Sequence, residues 1–305
     1  MSSVPASASP VSLPRSVYLG GLSLAVGGAV LFSTKAIVAK LLYRYQIDAV
    51  TLIAFRMLFS LPLFAVIAVW KMRSEAPLAP ADRWRIAGLG LVGYYLSSFL
   101  DFLGLQYISV GLERLLLFLT PTFVLLITTF FLKQHIGRKQ WLALAASYCG
   151  IVLVFVHDLR GGASNVVLGS LLVLGSAAAY AVYLLGSGEL VKRIGSLRLV
   201  SYAMCVSSAA CIGQFFLLRP AALLIQPLPV YGLSLLNGIF CTVMPVLMTM
   251  TAVARIGPAT ASQAGMIGPV STLFLGALIL GESITPWQMA GTSLVLAGIY
   301  MLSKK

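Results

Sequence analysis

The chain has 305 residues, 59% of them apolar and only 10% charged, a balance that excludes an ordinary water-soluble fold of this length. A mean hydropathy of +0.98 places it in a bilayer. The net charge of +13 would point to nucleic acid in a soluble protein, but here the basic residues gather at the ends of apolar stretches, where they set topology instead.

Residues 1–17 hold Ser, Ala and three Pro with little hydrophobicity and read as a mobile cytoplasmic tail. No cleavable signal is expected, because the apolar run begins near Tyr18 and has full span length. Ten apolar stretches follow, at about 18–43, 48–70, 84–107, 112–132, 138–156, 167–189, 197–218, 229–253, 258–280 and 285–302. They are expected to be transmembrane helices: a lipid-exposed backbone must satisfy its own hydrogen bonds, and the alternation of a membrane barrel is missing. With the N-terminus inside, 14 of the 21 basic residues fall on the cytoplasmic side and five on the outer side, while Lys35 and Arg56 lie within spans. Both termini are therefore expected in the cytoplasm, with the protein a multi-pass component of the inner (cytoplasmic) membrane.

Sliding the sequence over itself by 148 residues superposes Pro121 on Pro269, Ile108 on Ile256 and Gly150 on Gly298 without a gap. The chain reads as one unit written twice, with repeats at 18–158 and 166–302. Each repeat holds five of the ten stretches, and because five is odd the second must enter the membrane from the opposite side. Such an inverted pair can open to either side by exchanging the conformations of its halves, with substrate held near mid-membrane between them.

In the second half, Ile256-Gly257-Pro258-Ala259 leads into Pro269 and then Leu280-Gly281-Glu282-Ser283. The first half has Ile108-Ser109-Val110-Gly111 before Pro121, then Lys133-Gln134 in place of Gly-Glu. Arg56 stands in Ala54-Phe55-Arg56-Met57, and Lys40 closes the first stretch. In order, spacing and duplication these residues resemble the EamA-type transporters of the drug/metabolite transporter superfamily, over roughly residues 18–302. The resemblance implies an all-α membrane protein of ten helices in two inverted five-helix repeats, and a secondary permease for small metabolites. The Lys133-Gln134 departure argues against a transport role for the acid of that motif and favours Glu282 as a cap or anchor of a helix end.

Charges retained at mid-bilayer cost about 2.5–3.5 kcal/mol on insertion scales, so those within spans should face a partner or a wet cavity. Tyr94, Ser97, Ser98 and Asp101 in the third stretch follow i, i+3, i+4, i+7 spacing, share a helix face and are expected to line the cavity. Asp101 is open to three readings: a proton site for coupling, a partner for a cationic group on the substrate, or one half of a structural ion pair with Lys35 or Arg56. The sixth stretch carries a matching stripe of Ser176, Tyr180, Tyr183 and Ser187, which the offset lays over Gly28, Phe32, Lys35 and Ala39. Lys35, Tyr180 and Tyr183 are therefore expected in the cavity, with snorkelling toward the outer interface as the other reading of Lys35. Glu113 and Arg114 start the fourth stretch about 100° apart and read either as an outer gate or as a solvated pair. Pro121 and Pro269 read as bending points of alternating access or as static kinks. The fifth and tenth stretches lack polar stripes and are expected at the periphery, each bracing its own half.

Cys149, Cys205, Cys211 and Cys241 lie inside apolar stretches without CxxC spacing and read as buried small residues, so neither metal nor disulfide is expected. No GxxxxGK[ST] segment is present, so energy must come from a gradient, with the proton as the coupling ion considered and no cofactor expected. An intramembrane enzyme would need converging catalytic groups, whereas His135 and His157 read as loop residues at opposite membrane faces. The leading expectation is a secondary active transporter of a small polar metabolite, an amino acid or related compound carrying a carboxylate or phosphate, working in efflux as a monomer or weak homodimer. A multidrug exporter using faces around Tyr180, Tyr183, Met244 and Met248 is the nearest alternative, and a non-transporting structural membrane protein the third.

Overall fold

A computed structural model describes residues 15–132, 138–160 and 165–303. Residues 1–14, the Lys133-Gln134 pair and His135 lie outside the described residues. The first repeat comprises α1 (Arg15–Tyr43), α2 (Ala49–Ser74), α3 (Pro80–Gly90), α4 (Ser97–Leu105), α5 (Val110–Leu117), α6 (Thr120–Leu132) and α7 (Arg138–Arg160). The second comprises α8 (Val166–Ile194), α9 (Ser196–Leu218), α10 (Leu228–Gly238), α11 (Met244–Gly265), α12 (Ile267–Leu275) and α13 (Pro286–Ser303). Among the described residues there is no strand. Helix α1 begins at Arg15, so the end of the expected tail is helical.

Among the described residues, seven helices are long and apolar enough to cross a membrane, and Leu144–Leu159 and Ile267–Leu280 are shorter apolar helices. Helix α13 occupies the remaining interval of the ten read from the sequence. Several spans are composite. A π-helical turn, Leu91–Leu96, joins α3 to α4, and another, Ile239–Val243, joins α10 to α11; the 148-residue offset carries Leu91 onto Ile239. The fourth span breaks between α5 and α6 at Phe118–Leu119, and the break between α11 and α12 at Met266 is its counterpart. Proline accounts for both breaks, since Pro121 and Pro269 lack the N–H a helix needs. Thr120 Oγ1 donates to the Leu117 carbonyl at 2.7 Å, which is the acceptor that Pro121 leaves without its usual donor. Gly257, at φ 79°, turns the chain inside α11 where an L side chain would be strained.

Contacts between the repeats obey an exchange rule. A Cβ on Gly21 would meet Ile256 Cγ2 at 2.4 Å, and one on Gly169 would meet Ile108 Cγ2 at 2.8 Å. These are the same contact with the halves swapped. Gly27 against Met248 and Gly175 against Leu100 repeat the relationship six residues further along α1 and α8. Residue numbers rise along α1 as they fall along α11, and rise along α4 as they fall along α8, so both pairs are antiparallel. A two-fold relation between the repeats requires this pattern. Small residues at these crossings let backbones approach, which is how helices gain packing where lipid offers no hydrophobic contrast.

Three sequence readings are corrected here. Helices α7 and α13 do not each brace their own half; they form one of the most extensive helix pairs in the molecule, meeting across the repeat boundary at Gly150 and Gly291. Cys149 is exposed, because its helix turns that position outward while Ile151 and Val154 face the core; Cys205 is half-buried, and Cys211 and Cys241 are buried. His157, in turn, belongs to α7 and not to a loop.

Candidate functional site

A cavity of about 500 Å³ lies between the repeats. Its walls follow the exchange rule: Gly28 and Ser176, Phe32 and Tyr180, Arg56 and Met204, Tyr94 and Thr242, Ser98 and Val246, and Asp101 and Thr249 all line it, each pair separated by 148 residues. The cavity therefore sits on the two-fold relation. Its shape is shared by the halves but its charge is not. Lys35, Arg56, Asp101 and Arg114 all come from the first repeat.

Tyr94, Ser97, Ser98 and Asp101 of the third span all line the cavity. Ser97 and Ser176 hydroxyls pair at 3.0 Å across the repeats. Tyr94 O–H donates to Tyr183 at 3.3 Å, and the rings of Tyr94, Tyr180 and Tyr183 cluster with centroids 4.9–6.4 Å apart. Tyr183 stands behind Tyr94 and outside the lining, 4% exposed.

Lys35 does not snorkel. Its Nζ donates to Asp101 Oδ2 at 2.5 Å and lies 3.8 Å from Glu113 Oε1. Among the described residues Arg56 makes no ion pair; its Nε donates to Thr242 Oγ1 at 2.7 Å and its Nη1 to Ser98 Oγ at 3.4 Å. Arg114 Nη2 donates to Ser33 Oγ at 3.0 Å, and Ser33 in turn donates to the Gly268 carbonyl at 3.0 Å. Three cations are thus interleaved with two rings. Phe102 lies between Arg56 and Lys35 at 5.1 and 5.3 Å, and Phe32 between Lys35 and Arg114 at 5.1 and 5.0 Å. Cation–π contacts of this kind hold buried cations together without neutralising them.

Glu113 and Arg114 are 0% and 6% exposed, so the solvated-pair reading is wrong: the turn opened by Ser109, whose Oγ accepts from Leu112 N–H at 3.2 Å, sinks both into the core. Glu113 faces Lys35, and Arg114 faces the cavity. Pro121 is exposed and Pro269 buried, and neither lines the cavity. Met244 points outward; the methionines at the wall are Met204 and Met250, the former legible as the offset counterpart of Arg56. Phe32, Phe102 and Thr242 were also missed as partners of the charges, since an apolar pattern does not separate a core ring from a cation's neighbour.

Beyond the ionic cluster, toward the end of α1, a second hollow of about 370 Å³ is lined by Lys40, Tyr43, Gln46, Ile47, Asp48 and Gln106. Tyr43 O–H donates to the Phe102 carbonyl at 2.5 Å between the two spaces. Nearby, the Glu282 carboxyl of the other repeat lies by the Val110 N–H at the start of α5. Burial raises the Glu282 carboxyl above its ordinary value, against the pull of Lys40.

Residues 19–156 and 167–304 each match the model of the EamA-like transporter family. The chain belongs to the EamA-like transporter family. "Uncharacterized transporter YcbK" of Bacillus subtilis (strain 168) is 31% identical over 287 residues, covering 91% of this chain and 90% of that protein. An "Uncharacterized transporter" of Archaeoglobus fulgidus is 28% identical across 80% of this chain and 84% of its own length. The "Probable terminal-alkyne amino-acid exporter" of Streptantibioticus cattleyicolor is 24% identical, covering 66% and 67%. A solved crystal structure shares the fold at TM-score 0.64 and 16% identity, over 95% of this chain and 97% of that chain. This EamA-like chain is a membrane protein whose relatives are named transporters and exporters.

Proposed function

We propose that the chain is a secondary active transporter that moves a small polar metabolite, an amino acid or a related carboxylate, out across the cytoplasmic membrane by alternating access. The observation that carries this reading is the cavity's position on the exchange relation, because a site shared by two interchangeable halves is reachable from either side when they trade conformations. In this reading ten spans form two inverted repeats, 18–158 and 166–302, with both termini in the cytoplasm.

Charge selects the cargo. Arg56 and Arg114 line the cavity without a carboxylate partner in an ion pair, held by hydroxyls and ring faces, so an anionic group on the cargo supplies the missing countercharge. Met204, Val246 and Met250 offer its apolar part a surface on the other repeat. The name of the Streptantibioticus relative supports an amino acid and the outward direction. A proton is the coupling ion, taken up within the ionic cluster, and Pro121 and Pro269 mark the bends.

Proteoliposomes holding the purified chain, offered labelled amino acids, simple carboxylates and lipophilic cations, test this. Flux of carboxylate-bearing compounds is expected. Flux of lipophilic cations alone would replace the reading with multidrug export, and no flux of any solute would leave a structural role.

A further inference from the structure

Two carboxyl groups share one ammonium in the core. Lys35 is committed to Asp101 at 2.5 Å and is only loosely within reach of Glu113 at 3.8 Å. Glu113 is 0% exposed, and neither of its oxygens meets a hydrogen-bond donor. Asp101 Oδ1 is likewise buried without a donor. The two carboxyl groups converge on the same Lys35 ammonium. As two carboxylates they would repel in a dry site, with three acceptor oxygens unsatisfied; one proton turns that repulsion into an O–H···O bond.

We infer that Glu113 is the proton-carrying group of this protein, held as a neutral acid that donates to Asp101 while Lys35 stays on Asp101. The inference rests on the transporter reading for its role and on the geometry for its place. The charged groups that act on Glu113 are Asp101 of α4, Lys35 and Lys40 of α1, and Arg114 beside it. On release the O–H bond of Glu113 breaks, the proton leaves to water, and the carboxylate that remains takes Lys35 as its partner. The offset lays Ala261 over Glu113 and Thr249 over Asp101, so the other repeat has no equivalent carboxyl pair. Of the readings the sequence left open for Asp101, the ion pair with Lys35 is the one formed, and it makes Asp101 the acceptor.

The test needs no knowledge of the cargo. Infrared spectra of the full chain in lipid nanodiscs at neutral pH should show the carbonyl stretch of a protonated carboxyl. That band should fall to background in Glu113→Gln and persist in Glu282→Gln. Its persistence in Glu113→Gln, or its absence from the wild type, would overturn the assignment. Should Glu113→Gln not fold, Glu113→Asp keeps the acid and must shift the band; an unshifted band rejects Glu113 equally. A chain that shows the band and moves no solute keeps the proton site and loses the transporter reading. Where flux is found, its dependence on a pH gradient should vanish in Glu113→Gln, and a dependence that survives would sink the coupling role alone.

Discussion

Gly150 and Gly291 meet backbone to backbone: a Cβ on either would lie 2.5 Å from the other's carbonyl oxygen. They belong to α7 and α13, one from each repeat, so this crossing ties the halves at the far edge from the cavity. Backbone on both sides cannot move aside as a side-chain tip can. Gly291→Val is expected to cost about 1–3 kcal/mol, as overpacking does elsewhere, and to lower the thermal midpoint in detergent. An unchanged midpoint would show that the two helices are not in contact.

The exchange rule makes a paired forecast for α1 and α8. Gly21→Val and Gly169→Val push into Ile256 and Ile108 in the same way, with projected contacts of 2.4 and 2.8 Å. Losses of stability within about 1 kcal/mol of each other are expected, both in the overpacking range. A severe loss at one site and none at the other, read by the same melting assay, would show that the repeats are not packed alike.

Lys35→Met should destabilise by about 3–5 kcal/mol, since it strands the Asp101 charge in the core. Pairing it with Asp101→Leu should recover most of that loss without restoring flux. If the single and double variants unfold alike, the ion pair is not formed in the membrane.

Arg56→Lys keeps the charge and loses the fork that reaches Thr242 and Ser98 together. Transport of a carboxylate cargo is expected to drop by at least tenfold, about 1.4 kcal/mol in transition-state terms, with the folded yield unchanged. Retention of full flux would remove Arg56 from the substrate site.

Asp48 lies outside the spans, capping α2 through the Thr51 N–H at 3.0 Å and accepting from Arg219 Nε at 2.9 Å. Burial pushes its carboxyl up, but the Thr51 and Arg219 bonds outweigh that and leave it below the usual aspartate value. A depressed folded value means that the stabilisation is complete above the unfolded value and fades as pH falls through the folded one. Asp48→Ala should cost about 1 kcal/mol at neutral pH, typical of a lost cap, and the gap to wild type should close under strongly acidic conditions. Equal melting at neutral pH would show that the cap carries no weight.

Much of this was legible in the sequence: the 148-residue offset pointed to both proline breaks, and helical spacing gave the Tyr94-to-Asp101 face. The opposite wall was not found, although the same offset gives it, because Thr242, Val246 and Thr249 make no polar stripe that stands out from the surrounding apolar run. The depth of Glu113 was also hidden. Helix geometry separates it from Arg114 by angle, but only the packing of neighbouring helices decides whether a span's first turn meets water. Cys149 shows the same limit from outside, since an apolar stretch does not say which of its faces meets lipid. The α7–α13 pairing joins residues more than 130 positions apart, and no local pattern records it.

The three-tyrosine cluster and the lysine–carboxylate cluster occupy matching places at opposite ends of the cavity, with Tyr183 standing where the offset puts Lys35. On the proposed transporter reading, one door would be latched by ions and the other by phenol rings. Acidity would act on the first latch and leave the second almost untouched, so the two half-turns of a working cycle would answer to different conditions outside the protein. A machine built from duplicated parts need not run equally well in both directions, and such a bias would be written into which copy kept the charges.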